Sequence, residues 1–265
     1  MAADTRAGQA LGAVLSLRRP NTHWTRDMTD DATVKVDPDL REQVIVRRYL
    51  DLPKYLDLLR SATFYLQRAD GFADQFEGAL TPLFRRSLNE EYAKGRIKHN
   101  ADYVWRWARE GSYVNSWSSG PKDNMALWQL YGGGANSVAI TSTLGKLMRI
   151  ALEWQTKVLI HKVEYIDHFK SPDMIVGRYT DLLRFKHEAY KYEAEVRIVV
   201  PQQHEDWERN PPELRLPVGN LNALLRSVVV SPEAGDWFYE LIKDVSRKYG
   251  ITVPIRRSRL TSLPK

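Results

Sequence analysis

The sequence contains no cysteine. That one absence removes disulfides, thiolate metal sites and a cysteine nucleophile together, and it favours a reducing, cytoplasmic setting. No apolar run approaches the roughly 20 residues of a membrane span, so no membrane partner is expected. A short apolar stretch at 10–17 is preceded by Asp4 and closed by Arg18-Arg19-Pro20, and it reads as a helix or tail rather than a signal peptide. Glycine-rich phosphate loops are missing as well. There is no Walker-type loop and no G-x-G-x-x-G, and Gly132-Gly133-Gly134 follows a helical pattern, where it acts as a stop. Neither H-E-x-x-H nor G-x-S-x-G occurs. The six histidines, among them His161, His168, His187 and His204, make no metal-ligand spacing, and no metal is predicted.

What remains is a chain of 265 residues, 43% hydrophobic and 11% aromatic, which is enough to bury a large core. Its net charge of +6 is spread along the chain, so it permits contact with a polyanion without identifying one. Residues 1–42 are polar, rich in Thr and Asp, and read as a variable N-terminal extension. Residues 43–265 read as a single catalytic-like domain.

Strands are expected at 43–49, 62–66, 113–118, 137–141, 158–165, 192–200, 227–230 and 251–255. Helices are expected at 54–60, across 82–109, and at 124–131, 144–154, 174–190, 221–225 and 232–249. The last of these has Trp237, Phe238, Leu241, Ile242 and Val245 on its inner side. Residues 201–217 read as a surface loop. Short strands and helices in uneven order predict an α+β fold, a central mixed or antiparallel sheet flanked by helices.

The stretch 192–200 carries the most information. Read as a strand of period two, it places Tyr192, Ala194, Val196, Ile198 and Val200 on the core side and Glu193, Glu195 and Arg197 on the other. Two carboxylates so close need cations, water or a ligand to relieve their repulsion. A solvated face neutralised by Arg197 is the plain alternative. Asp74 and Glu77, around Phe76, either join that acidic group or open a helix with Asp74 as its cap. Trp128 and Tyr131, three apart on a helix, fit a core stripe or a stacking platform. Trp105, Arg106, Trp107 and Arg109 fit core with solvated arginines, or a single-strand nucleic-acid surface.

Arg48 ends the first strand, Ser116-Trp117-Ser118 ends a middle one, and Glu193-Ala194-Glu195 lies on a later one. This order of arginine, Ser-x-Ser and Glu-x-Glu resembles the three-part signature of arginine-type ADP-ribosyltransferases, with Trp117 standing where that family carries threonine. The resemblance implies NAD as substrate and an ADP-ribosyltransferase-like fold. Arg48 would hold the pyrophosphate, and Ser116 and Ser118 would brace the nicotinamide pocket. Glu195 would stabilise the oxocarbenium-like state, and Glu193 would orient or activate the acceptor.

Most of the chain from about residue 45 also resembles a widespread bacterial family, domain of unknown function 2971. The marks are Arg48-Tyr49, the loop Ala73-Asp74-Gln75-Phe76-Glu77, the helix Trp128-Gln129-Leu130-Tyr131, and the block from Lys186 through Tyr190 to Tyr192-Glu193-Ala194-Glu195-Val196-Arg197. This loop has Ala73 and Gln75 where the family has asparagine and proline. Taken together, catalysis is expected at Glu195 and Glu193, and NAD contacts at Arg48, Tyr49, Ser116, Ser118, Trp128 and Tyr131. Asp74, Glu77 and Arg197 are further polar site candidates.

Three functional classes follow. The first is an NAD-consuming transferase acting on a protein or nucleic-acid acceptor, as a bacterial toxin, effector or anti-phage defence protein. The second is a metal-dependent nuclease using Asp74, Glu77, Glu193 and Glu195. The third is a non-catalytic binding or sensor domain with an internal salt network. An open cleft lined by Arg48, Ser116, Ser118 and Glu195 favours the first, converging carboxylates favour the second, and a filled interior favours the third.

Overall fold

A computed structural model describes residues 33–170, 174–202 and 210–261; the apolar stretch at 10–17 and His204 lie outside them. Among these residues, ten strands join one mixed sheet. They are β1 (Val34–Val36), β2 (Ile45–Asp51), β3 (Thr63–Arg68), β4 (Ser112–Ser119), β5 (Ser137–Thr143), β6 (Val158–Lys162), β9 (Glu195–Pro201), β10 (Glu213–Pro217), β11 (Ser227–Val230) and β12 (Ile255–Arg257). Two more, β7 (Glu164–Ile166) and β8 (Phe185–His187), pair in parallel as a separate ribbon. The order across the large sheet is β1-β6-β9-β4-β2-β5-β11-β12. Its β1–β6 and β11–β12 pairs are parallel and the rest antiparallel.

The sheet forks at β4. On one flank β4 pairs with β9 along its length. On the other flank it is shared: Ser118 and Ser119 lie beside Arg47 and Val46 of β2, whereas Tyr113 and Val114 lie beside Arg68 and Gln67 of β3. Residues 115–117 have no strand next to them there. Asn115 bridges part of the gap, donating to the Tyr65 carbonyl at 2.8 Å and accepting from the Trp117 indole at 2.7 Å. The fork opens a cleft through the middle of the sheet.

Helices close both faces, and their sequence caps are in place. Helix α1 (Leu52–Ser61) starts at Asp51, whose carboxylate accepts from the Lys54 amide at 2.8 Å, with proline in its first turn. Thr81 and Asn100 cap α2 (Pro82–Ala93) and α3 (Ala101–Glu110) in the same way. A short α4 (Met125–Leu127) runs on into a π-turn at Trp128–Gly132, followed later by α5 (Leu144–Leu152), α6 (Leu221–Leu224) and α7 (Asp236–Lys248). The principal core joins Val46, Trp117, Ile140, Val196 and Ile198 of the sheet to Leu58, Leu147 and Phe238 of α1, α5 and α7. A second cluster lies between α2, α3 and residues 174–185.

Several expectations are corrected. The sheet begins at β1, inside the segment read as an extension. The helix expected at 174–190 is absent. Met174 and Val176 are buried while Ile175 between them is 78% exposed, an extended alternation. It leads through a 3₁₀ turn, Tyr179–Arg184, to β8 and a second 3₁₀ turn, Glu188–Glu193. The strand expected from 192 starts only at Glu195, because Ala194 takes a left-handed conformation (φ 47°) that breaks the alternation. The region 82–109 is two helices, and the loop at 201–217 contains β10. The closing strand lies at Ile255–Arg257 rather than 251–255. Helix α7 buries Phe238 and Ile242 but leaves Trp237 62% exposed, since residues 237 and 241 lie outside the arc that meets the core.

Ala62 caps the C-terminus of α1 with φ 47°, a position where glycine is free of the Cβ clash. The substitution Ala62→Gly is expected to stabilise the protein by about 0.5–1 kcal/mol, the left-handed penalty less the entropy of glycine. Thermal melting checks this, and a lowered midpoint would contradict it.

Candidate functional site

Strand alternation puts Val196, Ile198 and Val200 into the principal core and turns Glu195 and Arg197 to the opposite face. That face is not solvated, because the loop at 72–78 and the 3₁₀ turn at 179–184 cover it. Arg197 is 1% exposed. Its guanidinium forks onto Glu77, with one bond of 2.9 Å from Nη2 and a second from Nη1. It also donates to Glu195 Oε2 from Nε at 3.2 Å and from Nη2 at 2.8 Å, and to the Leu183 carbonyl at 2.8 Å. Burial alone would lower the arginine's affinity for its proton, but the two carboxylates outweigh it and raise its pKa. Burial pushes Glu77 up from the usual carboxylate value, and the Arg197 fork pulls against that push.

Lys186 of β8 adds a second buried cation. Its Nζ meets Glu193 Oε2 at 2.5 Å and Glu195 Oε2 at 3.3 Å, and lies 4.6 Å from the Tyr190 ring centroid. Burial works to lower its pKa, but Glu195 and Glu193 raise it above the ordinary lysine value. The second oxygen of Glu193 accepts from the Tyr131 hydroxyl at 2.5 Å, so both Glu193 oxygens are engaged. Desolvation and the neighbouring Glu195 push Glu193 up. Glu195 goes the other way: burial opposes its charge, yet Arg197 and Lys186 hold its carboxyl below the usual range. The Ser116 hydroxyl, buried and with no well-aligned partner, lies beside Glu195 and favours the same ionised state. Every charged partner of Glu195 contacts Oε2.

The cleft has a volume of about 720 Å³, inside the range of roughly 300–1,000 Å³ typical of small-molecule sites. Arg48, Tyr49, Ser116, Ser118, Tyr131 and Glu195 line it, as do Asp74, Glu77, Glu193 and Arg197. Ser118 stands opposite Glu195 in the β4–β9 register. Arg48 is half-buried, with no carboxylate partner among the described residues. Loss of water around its guanidinium lowers its pKa from 12.5 to about 10. Tyr49 supports the rim: its hydroxyl accepts from the Asn124 amide at 2.9 Å.

Trp128 corrects an expectation. It is fully buried and packs edge-on against Tyr49 at 4.9 Å, beneath the cleft wall rather than in it. Asp74 caps no helix. One of its oxygens accepts from the Phe76 amide at 2.9 Å, and the other is buried near Tyr190 with no well-aligned partner among the described residues.

The sequence places Lys186 in a motif but gives it no role, and it gives no sign of Tyr165. The Tyr165 hydroxyl accepts from the Glu195 amide at 2.8 Å. Its strand neighbours are ordinary alternating residues, so no local signal marks it.

Among the described residues no three His, Asp or Glu side chains are placed to hold a metal ion, and no helix is long and apolar enough to cross a membrane.

No family model matches the chain and no curated protein matches it, so the likeness to the domain of unknown function rests on the quoted motifs. Solved structures of DarT from Thermus sp. 2.9 are similar to it at low level. The complex with carba-NAD+ is 10% identical with a TM-score of 0.39, covering 83% of this chain and 97% of that one. The complex with ADP-ribosylated ssDNA has the same identity and TM-score over 83% and 96%. The complex with NAD+ is 9% identical with a TM-score of 0.41 over 84% and 100%. At that level the likeness carries no argument about activity.

Two predictions come from the buried network. Removing one partner of a buried pair leaves a charge unanswered, so Glu77→Gln should cost about 3–5 kcal/mol. Denaturant unfolding checks this, and a loss under about 1 kcal/mol, the worth of an exposed pair, would mean Arg197 is not dependent on Glu77.

The second concerns His161, which neighbours Arg197 in register and is buried. Burial, reinforced by Arg197, lowers its pKa from 6.5 to about 3. A depressed folded pKa gives stability that is present above 6.5 and is lost as pH falls towards 3. The thermal midpoint of His161→Gln should therefore fall less than that of the wild type between pH 6.5 and 5. Glu193, whose raised pKa acts with the opposite sign, is common to both proteins and cancels. Parallel curves would refute the assignment.

Proposed function

We propose that the protein binds NAD in this cleft and transfers ADP-ribose from it to an acceptor. The observation that carries the reading is the charge layout of one open cleft. It presents an arginine, Arg48, without a carboxylate partner among the described residues, and a buried group in which three carboxylates, Glu77, Glu193 and Glu195, face two cations, Lys186 and Arg197. NAD carries the complementary charges, an anionic pyrophosphate and a cationic nicotinamide ring.

In this reading Arg48 holds the pyrophosphate through charge-assisted hydrogen bonds, and the hydroxyls of Ser116 and Ser118 brace the nicotinamide end. The bond that breaks joins the nicotinamide nitrogen to the ribose anomeric carbon. Its electron pair leaves with neutral nicotinamide, and positive charge develops on the ribose. Glu195, ionised and held by one oxygen, turns its field on that charge in a site largely shielded from water, where such a field is strongest. The acceptor's nucleophile then bonds to the anomeric carbon and loses its proton to solvent water.

The nuclease reading has less support, because Glu77, Glu193 and Glu195 already spend their charge on Arg197 and Lys186. The purely structural reading accounts for that network but not for a cleft whose wall holds an arginine with no carboxylate partner among the described residues.

The test is nicotinamide release from NAD, measured with purified protein alone and with cell lysate treated by nuclease or by protease to sort acceptors. Glu195→Gln is expected to lower the rate by roughly 10²–10³-fold, the usual loss for one electrostatic stabiliser. Arg48→Ala is expected to weaken NAD binding roughly 10–100-fold, for about 1.5–3 kcal/mol of charged hydrogen bonding. It should leave the melting temperature unchanged or higher, since no carboxylate among the described residues relies on Arg48. Absence of both NAD binding and nicotinamide release in every lysate would sink the proposal.

A further inference from the structure

We infer that the β7–β8 ribbon is a positioning clamp for Glu195, with Tyr165 gripping its backbone and Lys186 its carboxylate. The two residues are direct partners in the ribbon's register, Tyr165 opposite Lys186. Both reach the same glutamate: the Tyr165 hydroxyl takes the Glu195 amide at 2.8 Å, and Lys186 Nζ takes Oε2 at 3.3 Å. The ribbon pairs with no strand of the large sheet, so hydrogen bonding in that sheet does not require it.

The arrangement divides the work between the two glutamates. Lys186 bridges Oε2 of Glu193 and Oε2 of Glu195, and Tyr131 takes the remaining oxygen of Glu193. Glu193 is thereby fully occupied, whereas Glu195 keeps Oε1 for the cleft. Arg197 has no donor left to take over from Lys186, because its five N–H groups are already on Glu77, Glu195 and Leu183. The backbone joins in just before the strand, where the Ala194 carbonyl accepts from both the amide and the hydroxyl of Ser119 at 2.8 Å. Lys186 and Tyr165 act through Glu195, so both are positioning residues.

The catalytic consequence rests on the NAD reading, but the clamp is testable without it. The carboxyl carbon of Glu195 is titrated by NMR in protein carrying carbon-13 glutamate, with the signal assigned from Glu195→Gln. The titratable groups in the field of Glu195 are Arg197, Lys186, Glu77, Glu193, Tyr131, Tyr165 and His161. Of the charged ones, the variants below alter only Lys186 and Glu193.

Lys186→Met is expected to raise the Glu195 midpoint by about one pH unit or more, the usual effect of losing an adjacent opposite charge, and Lys186→Arg to restore most of it. Should Lys186→Met fail to fold, Lys186→Met with Glu193→Gln removes one charge of each sign and is compared with Glu193→Gln alone. The same upward shift is expected there. An unmoved midpoint in a folded variant overturns the clamp whatever the outcome with NAD. Where nicotinamide release is measurable, Tyr165→Phe should lower kcat with KM unchanged. If the wild type releases none while the midpoint shifts, the NAD reading falls and the clamp stands.

Discussion

A buried guanidinium is tolerated only when all of its N–H groups find acceptors and its charge is answered. Arg197 meets both conditions, and the surroundings of the site follow from how it does so. Glu77 is brought down from the loop after β3 to take the fork, Leu183 lends a carbonyl from a 3₁₀ turn, and Glu195 comes from two positions back on the same strand. Segments far apart in sequence are thus tied over a sheet face that alternation alone would leave to water. Glu195 is ionised in a nearly dry place because Arg197 is already there.

The fork in the sheet supplies the other half of the site. A continuous sheet has two faces and no passage between them. Here β4 exchanges partners between β2 and β3, leaving residues 115–117 open on one flank, so one cleft is lined from elements on both sides. Arg48 shares its strand face with Val46 and Leu50 of the principal core, yet it lines the same cleft as Glu195, which points from the opposite face. Charge of each sign thus meets a single cavity without the two groups neutralising one another. Ser116, midway along the open stretch, has a hydroxyl with no well-aligned partner, as expected where a polar side chain faces a cavity instead of a neighbouring strand.

Short runs of apolar and β-branched residues made the bodies of β4, β5, β9 and β11 legible from the sequence, because each is committed to the core. The helix caps at Asp51, Thr81 and Asn100 set boundaries that the apolar pattern alone did not mark: Asn100 divides what reads as one helical region into two. The failures are equally physical. Residues 174–193 hold many helix-forming side chains, but their burial serves a network rather than a stripe: Lys186 and Glu193 are buried for their charges, and no hydrophobic periodicity foretells that. Trp128 stood at the right spacing for a stacking platform and proved to be the support beneath Tyr49. The other site candidates, from Arg48 to Arg197, line the cleft. Tyr165 was invisible, because its contribution is one hydroxyl reaching a backbone amide across a ribbon that only tertiary structure creates.

The left-handed turn at Ala194 decides how the two glutamates share the site. On an unbroken strand, Glu193 and Glu195 would project side by side, about 7 Å apart along the rise, as equivalent members of one acidic face. The turn ends that equivalence. Glu193 leaves a 3₁₀ segment and Glu195 opens a strand, and their carboxylates converge on one lysine nitrogen at 2.5 and 3.3 Å. Convergence of two carboxylates in a buried place makes one of them the weaker acid. The pull of Arg197 falls on Glu195, so the rise in pKa falls on Glu193. A non-glycine residue in this conformation costs of order 1–3 kcal/mol. In return, two chemically identical side chains two residues apart acquire opposite pKa shifts, and the stronger acid is also the one that engages both cations, through only one oxygen.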